Sequence, residues 1–195
     1  MKRVPSFTKR AIIESFLHLA GKKSLDKITV RDIVDDCGVN RNTFYYYFQD
    51  IYAVLEELCE GIIKNIPANK PLAGTLSDFY RALAGFTAKY PHAAKCFALS
   101  LGFEGMERYF GMALDGVILD CCTRGEGGAV PSDTMLKFLR CGVLGLCLDA
   151  LRGEKGCERI ADELEALLVA VAPELRPNAE QDGKQNGGVP PICAR

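Results

Sequence analysis

One segment of the chain predicts two short helices joined by a tight turn: Ile28-Thr-Val-Arg-Asp-Ile-Val-Asp-Asp-Cys-Gly-Val-Asn-Arg-Asn-Thr-Phe-Tyr-Tyr-Tyr-Phe48. Thr29 can cap a first helix, and Gly38 has the backbone freedom that the chain needs to leave it. Asn40 can cap the second helix, in which Phe44 and Phe48 lie at i and i+4 and can anchor it to a core. The segment therefore predicts a helix-turn-helix.

The second of these helices carries polar and aromatic side chains that the core cannot absorb. They are Arg41, Asn42, Thr43, Tyr45, Tyr46 and Tyr47. Three consecutive rings fan through about 200° around a helix, so at least one of the tyrosines must point outward. A helix with this exposed surface suits a polar, charged partner, and we expect that partner to be duplex DNA.

Length and composition limit the class of protein. The 195 residues can form one large domain or two small ones, and 48% hydrophobic with 25% charged residues is typical of a globular chain. No apolar run reaches the roughly 18 residues that a membrane span needs, and no apolar stretch of signal-peptide type follows the first residues. We therefore expect a cytoplasmic protein that has no membrane partner.

The charge of the chain is unevenly distributed. Residues 1–48 contain nine Lys or Arg and five Asp or Glu, which leaves +4, and the remainder contains fifteen and twenty, which leaves −5. The total of −1 therefore hides a basic N-terminal part joined to an acidic remainder. Such an asymmetry favours a local contact with nucleic acid.

Neither a metal site nor a catalytic site is predicted. The nine cysteines form no C-x-x-C pair, and the two histidines lie at no zinc-site spacing, so we expect no metal and no cofactor. Most cysteines are expected to be small buried side chains in a reducing compartment. The alternative is a redox or electrophile sensor, for which the adjacent pair Cys121 and Cys122 is the candidate. No Ser/His/Asp, Cys/His or paired-carboxylate arrangement occurs, so an enzyme is not expected.

Apolar spacing is helical throughout, which predicts an all-α fold. A first helix runs from about Ser6 or Thr8 to Ala20, a polar connector covers residues 21–27, and the helix-turn-helix follows. Further helices are predicted at about 50–64, 75–90, 91–100, 106–121, 133–152 and 157–172, with a turn flanked by Gly102 and Gly105 and a loop at 123–131. The predicted domains are a DNA-binding domain (1–50) and a helical effector-binding and dimerisation domain (51–173), in which helix 51–64 connects the two. A disordered tail (174–195) follows, because it is rich in Pro, Gly, Gln and Asn.

A stripe of aromatic residues in the second domain has two interpretations, because apolar core and apolar pocket have the same pattern in a single sequence. It either fills the core or lines a ligand pocket. The candidate ligand-binding residues are Phe79, Tyr80, Phe86, Phe103, Tyr109, Phe110 and Cys121.

Residues 8–58 resemble the N-terminal domain of the tetracycline-repressor (TetR) family of bacterial transcriptional regulators. The resemblance is carried by Thr8-Lys-Arg-Ala-Ile, Ile28-Thr-Val-Arg-Asp-Ile, Cys37-Gly-Val and Asn42-Thr-Phe-Tyr-Tyr-Tyr-Phe48. The C-terminal half also looks like the branch that contains the dihydroxyacetone-kinase operon activator, through Phe138-Leu-Arg-Cys-Gly-Val-Leu-Gly145 and the Leu-Arg-Gly that follows.

The resemblance implies a homodimer in which the last two long helices, at about 133–152 and 157–172, pack against their symmetry mates. Cys141, Gly142 and Gly145 suit such a seam, because small residues in a helix interior suggest a backbone that a neighbour approaches closely. The resemblance also implies a pocket for an unknown effector between the DNA-binding domain and the dimer interface.

The resemblance also assigns DNA-contacting residues, and two positions depart from the family pattern. Arg31 and Arg41 are the expected base readers, with Asn42, Thr43 and Tyr46 close to the bases. Tyr45, Tyr47 and Thr29 are expected to contact phosphates, and Lys9 and Arg10 to anchor the DNA backbone. Asn42 stands where many members carry Gly, Ala or Pro, and Ile51 where many carry Lys.

The leading hypothesis is a ligand-responsive repressor that binds a palindromic operator as a homodimer. The alternatives are a transcriptional activator or interaction module whose C-terminal domain binds a partner protein, and the cysteine-based sensor described above.

Overall fold

The fold is described by a computed structural model, which covers residues 7–67, 70–123, 130–153 and 157–171. These residues form helices and their connections without any strand, so the all-α prediction is confirmed. The helices are α1 (Phe7–Ala20), α2 (Val30–Cys37), α3 (Arg41–Tyr47), α4 (Ile51–Lys64), α5 (Leu72–Lys89), α6 (Pro91–Thr123), α7 (Asp133–Arg152) and α8 (Cys157–Val171). We call residues 7–50 the head and α4–α8 the body.

The helix-turn-helix is built as its capping residues predict. The Thr29 hydroxyl accepts a hydrogen bond from the Asp32 amide, and the Asn40 side chain accepts one from the Thr43 amide at 2.7 Å. Gly38 ends α2 in the left-handed region at φ 72°, a conformation that costs glycine little. Phe44 and Phe48 are buried beneath α3 and bind it to the core of the head.

The connector between α1 and α2 is less polar than the sequence predicts. It contains a 3-10 turn, Leu25–Lys27, in which Leu25 is buried. Ile28, just after this turn, is buried as well. Two apolar side chains flank the charged residues here, and burying them stabilises the turn even though its overall composition is polar.

Two boundaries in the body differ from the predicted ones. Helix α5 starts at Leu72 rather than Thr75. Pro71 can stand immediately before the first helical residue, and the Thr75 hydroxyl donates a hydrogen bond to the Pro71 carbonyl. The predicted turn between Gly102 and Gly105 is confined to Gly102, which has φ 58° and ψ −162° and interrupts α6. Because only this residue leaves the helical conformation, residues 103–105 already belong to the second half of α6.

Inside the body, α6 packs on α7, and α5 lies against α6, α7 and α8. The buried Ser77 hydroxyl donates to the Ala161 carbonyl, and Arg81 pairs with Asp162, so α8 is held on α5 by polar contacts as well as apolar ones. Arg140 of α7 forms ion pairs with Glu107 and Asp115 of α6.

Head and body share a packed junction between α1 and α6. The rings of Phe16 and Phe97 stack with centroids 5.7 Å apart, and Phe86 lies on the other side of Phe97 at 6.2 Å. The Cys96 thiol contacts the Lys23 carbonyl oxygen at 3.5 Å. A movement of the head against α6 must therefore disturb a buried aromatic cluster.

Several predictions concern residues outside the described ranges. They are the tail at 174–195, the end of the last helix at Ala172, and most of the loop at 123–131. Among the residues described, no helix combines the length and the apolar character that a membrane crossing requires.

Candidate nucleic-acid interface

Helix α3 presents a continuous polar face to solvent. Arg41 and Asn42 in its first turn are exposed, while Phe44 on the opposite side is fully buried. Tyr45 is 56% exposed and Tyr46 is 80% exposed. Large aromatic rings left this open on a short helix indicate a contact surface rather than a part of the core.

The three tyrosines have different environments. Tyr45 lies edge-on to Phe44, with ring centroids 5.6 Å apart, so a buried ring supports it from below. Tyr46 packs edge-on against Tyr47 at 4.9 Å, and Tyr47 itself is half-buried against the core. Tyr45 and Tyr46 therefore supply the exposed aromatic surface, and Tyr47 supports it.

Arg41 is the basic residue of this face that is available for a new contact. It is exposed, and no carboxylate pairs with it among the residues that the structure describes. Arg31 is also exposed, but its Nε lies 3.5 Å from the Asp35 carboxylate one turn along α2. Such an exposed pair is weak and can open when a stronger anion arrives.

Thr29 is occupied by the capping of α2. Its amide and its hydroxyl both donate to the Asp32 carboxylate, at 2.8 and 2.6 Å. Lys23 approaches the same carboxylate at 2.7 Å, and hydrogen bonds from Lys23 and Thr29 lower the pKa of Asp32 to about 2. Because both donors of Thr29 are already used, the predicted phosphate contact of this residue would require Asp32 to be displaced.

The two predicted anchors on α1 also have partners within the chain. Lys9 pairs with Glu57 of α4 at 2.7 Å and lies over the Phe48 ring at 5.4 Å from its centroid. Arg10 is exposed and lies 3.5 Å from Glu14. The Lys9 ammonium therefore joins α1 to α4, whereas the pair that Arg10 forms with Glu14 is exposed.

The structure places the predicted ligand-binding residues in different environments. Phe79 and Tyr80 are fully buried and Phe110 nearly so, with the Phe79 and Phe110 rings edge-on at 5.4 Å. Phe103 is exposed, and Cys121 contacts the Thr75 hydroxyl at 3.6 Å. The sequence pattern merged these environments because burial and pocket lining both need apolar residues at helical spacing.

Phe86 and Phe110 do line a shared cavity, between α4, α5, α6 and α7. It is wholly apolar and has a volume of about 30 Å³, roughly the share of one water molecule in the liquid. Tyr109 instead faces a polar cleft of about 310 Å³ between the 3-10 turn, α4 and α6, together with Tyr52 and Arg108. Burial raises the pKa of Tyr109, and the carboxylate of Glu56 adds to that rise.

Two of the cysteines that the structure describes, Cys122 and Cys59, lie in surroundings that disfavour the reactive thiolate. Burial raises the pKa of Cys122. Burial also raises the pKa of Cys59 to about 12. A thiol held in its protonated form reacts slowly with oxidants. No cluster of three or more potential metal ligands occurs in the described part of the chain.

The sequence did not reveal the polar surfaces at the junction of head and body. Asp26 of the head and Arg108 of the body are far apart in the chain and line one cleft, and Lys22 and Lys95 line a neighbouring groove in the same way. A charge asymmetry shows that basic residues are abundant, but not which of them face each other.

A comparison with known protein families also recognises the segment that contains the helix-turn-helix. Residues 12–58 match the sequence profile of bacterial regulatory proteins, tetR family. No curated protein matches the chain.

Solved structures of regulators share the fold over most of the chain. A structure of the dihydroxyacetone kinase operon activator DhaS aligns with a TM-score of 0.63 at 16% identity, covering 87% of this chain and 98% of that one. The fatty acid degradation regulator FadR from Bacillus halodurans aligns at 0.58 and 15% identity, covering 87% and 97%. The TetR family repressor AlkX from Dietzia sp. strain DQ12-45-1b aligns at 0.55 and 13% identity, covering 90% and 98%. The chain therefore carries a helix-turn-helix that matches the tetR family of bacterial regulatory proteins, and over most of its length it is similar in fold to solved structures of transcriptional regulators.

Proposed function

We propose that the protein is a ligand-responsive repressor that binds a palindromic operator as a homodimer. The observation that carries the proposal is the exposed face of α3, where Arg41 and Asn42 project beside Tyr45 and Tyr46. An arginine at the start of a short exposed helix can pair with guanine in the major groove, and tyrosine hydroxyls can reach phosphates.

The proposed dimer uses the outer face of α7 and α8. Phe138 is 71% exposed, and a Cβ atom added at Gly142 or Gly145 would meet nothing within 4 Å. Leu167 of α8 is exposed as well. An apolar face with small residues at its centre lets the backbones of two copies approach closely, and burying it would offset the cost of association.

Dimer formation determines the geometry of the operator. Two copies related by a twofold axis present two α3 helices, which fit half-sites about 34–36 Å apart in successive major grooves. An effector that binds the two head separations unequally changes DNA occupancy, and only to the extent that its affinities for them differ.

Selection of random duplex DNA by the purified protein, across a salt series, tests the proposal. We expect one palindrome to be enriched, with affinity that falls steeply as salt rises. Arg41→Ala should reduce the enrichment of that palindrome, whereas Arg159→Ala, which removes an exposed arginine of α8, should not. Undiminished enrichment of the same palindrome by Arg41→Ala would contradict the assignment of α3 as the helix that reads the bases.

A second candidate is an activator whose body binds a partner protein. The observation that favours it is the small size of the apolar cavity between α4, α5, α6 and α7, because about 30 Å³ is far below the 300 Å³ or more typical of a pocket for an apolar ligand. One similar structure is named as an operon activator. Transcription from a promoter carrying the selected site would distinguish the two: a repressor lowers the transcript level and an activator raises it.

A further inference from the structure

A groove lies along the junction of head and body, between the end of α1 and the first half of α6. Its volume is about 320 Å³. The side chains that give it its character are Lys22, Lys23, Ser24, His92, Lys95 and Ser100. The head supplies the first three of these residues and α6 supplies the others, so the groove exists only when the two parts are packed together.

The charge on the walls of the groove has one sign. Three ammonium groups line it and no carboxylate does. The Asp32 carboxylate neutralises part of the charge of Lys23. The pKa of the Asp36 carboxyl is lowered, mainly by a hydrogen bond from Ser15, and the positive charge of Lys22 contributes to that lowering. Lys95 is exposed and has no ion-pair partner among the residues that the structure describes. A concave surface lined by one sign of charge concentrates counter-ions of the opposite sign.

The two walls of the groove stand close enough for one small molecule to touch both. A Cβ atom placed on Gly21 would lie 3.6 Å from the Cβ of His92, and the Cys96 thiol contacts the Lys23 carbonyl at 3.5 Å. Lys22 and Lys23 therefore lie immediately beside the segment of α6 that carries His92 and Lys95. Hydroxyl groups from Ser24 and Ser100 add neutral donors to the same walls.

We propose that this groove binds a small multivalent oxyanion, such as a phosphorylated or polycarboxylate molecule, that bridges the head and the body. Three lysines offer point charges with rotatable donors, which suit phosphate or carboxylate oxygens without a fixed geometry. The groove is separate from the exposed face of α3 and from the apolar cavity, so this binding does not depend on the proposed repressor function.

The bridging position gives the anion a regulatory consequence. A molecule that contacts Lys22 on one side and Lys95 on the other binds best when head and α6 keep one relative orientation. By linkage it favours that orientation, to the extent that the affinities for the alternatives differ. The stacked rings of Phe16 and Phe97 lie at the same junction, so a change in the orientation of the head against α6 would alter their contact.

Calorimetric titration of the full chain with pyrophosphate and, in a separate arm, with citrate tests the proposal at constant ionic strength. We expect saturable binding of at least one anion, and the arm that binds more tightly identifies the phosphate or the carboxylate class. Lys22→Ala and Lys95→Ala should each weaken it about tenfold, because each removes a charge-assisted contact. Lys95→Arg, which keeps the charge, should stay within about threefold on the same grounds.

The matched control is Lys64→Ala, which removes an exposed lysine paired with Glu60 on α4. It should leave anion affinity unchanged. Circular dichroism verifies that every variant is folded. The proposal is overturned if neither anion binds saturably, or if Lys64→Ala weakens binding as much as Lys95→Ala does. It is also overturned if Lys22→Ala and Lys95→Ala leave anion binding intact and instead reduce the salt dependence of DNA binding, which would assign the groove to DNA.

Discussion

Gly38 should tolerate a methyl group worse than Gly61 does, although nothing obstructs the methyl at either position. The residue ends α2 at φ 72°, and a Cβ added there would meet no heavy atom within 4 Å. The cost of Gly38→Ala is therefore conformational, about 1–2 kcal/mol for an L-residue in the left-handed region. Gly61 lies inside α4 with equally open space, and Gly61→Ala should stabilise the fold by about 0.5–1 kcal/mol.

The same chemical change should thus move stability in opposite directions, with a difference of about 1.5–3 kcal/mol between the two variants. Urea unfolding followed by far-UV circular dichroism, at one fixed protein concentration, measures both. With a slope of about 2 kcal/mol per molar urea, Gly38→Ala should lower the midpoint by about 0.5–1 M. Gly38→Asn should recover much of the loss, because asparagine tolerates this conformation. If both alanine variants shifted the midpoint in the same direction, the backbone argument would be refuted.

Three further predictions concern Arg41 of α3, the junction between head and body, and the cap of α2. Arg41→Ala should weaken binding to the selected operator by about 1–3 kcal/mol, or roughly 5- to 150-fold, with the urea midpoint unchanged; full affinity would show that Arg41 reads no base. Phe97→Ala should cost about 3–5 kcal/mol of unfolding free energy, because the ring is buried between two others; wild-type stability would mean that the junction is not a packed core. The lowered pKa of Asp32, about 2, means that its ionised form stabilises the fold above the ordinary carboxyl range, and that this stabilisation is lost as pH falls towards 2. The urea midpoint of Asp32→Asn should therefore be lower than that of the wild type near neutral pH, and the two midpoints should converge in acid. Midpoints that differ by the same amount at every pH would contradict the role assigned to the ionised Asp32 carboxylate.

The local architecture of the head was predictable because its signals are short-range. Thr29 caps a helix three residues ahead, Gly38 ends that helix, and Asn40 starts the next one, so each signal acts within one turn of the chain. The burial of Phe44 and Phe48 follows from a spacing of four residues in the same way. These interactions join neighbours in sequence, and a single chain displays them directly.

The arrangement of the body was less predictable. Phe79 and Phe103 are both aromatic and occupy similar positions in a helical pattern, yet the first is fully buried and the second is exposed. The break in α6 was expected over four residues but is confined to Gly102. Which side of a helix becomes core depends on what packs against it, and periodicity alone does not contain that information.

The sequence by itself determined the helical class, the helix-turn-helix with its caps, and the residues that α3 could turn outward. Only the tertiary structure decided which of the charged residues were already paired. It joined Lys9 to Glu57 and set Lys22 opposite Lys95 across the junction. The physical reason is range: caps and turns act over three or four residues, whereas ion pairs and shared grooves depend on segments that the fold brings together from distant parts of the chain.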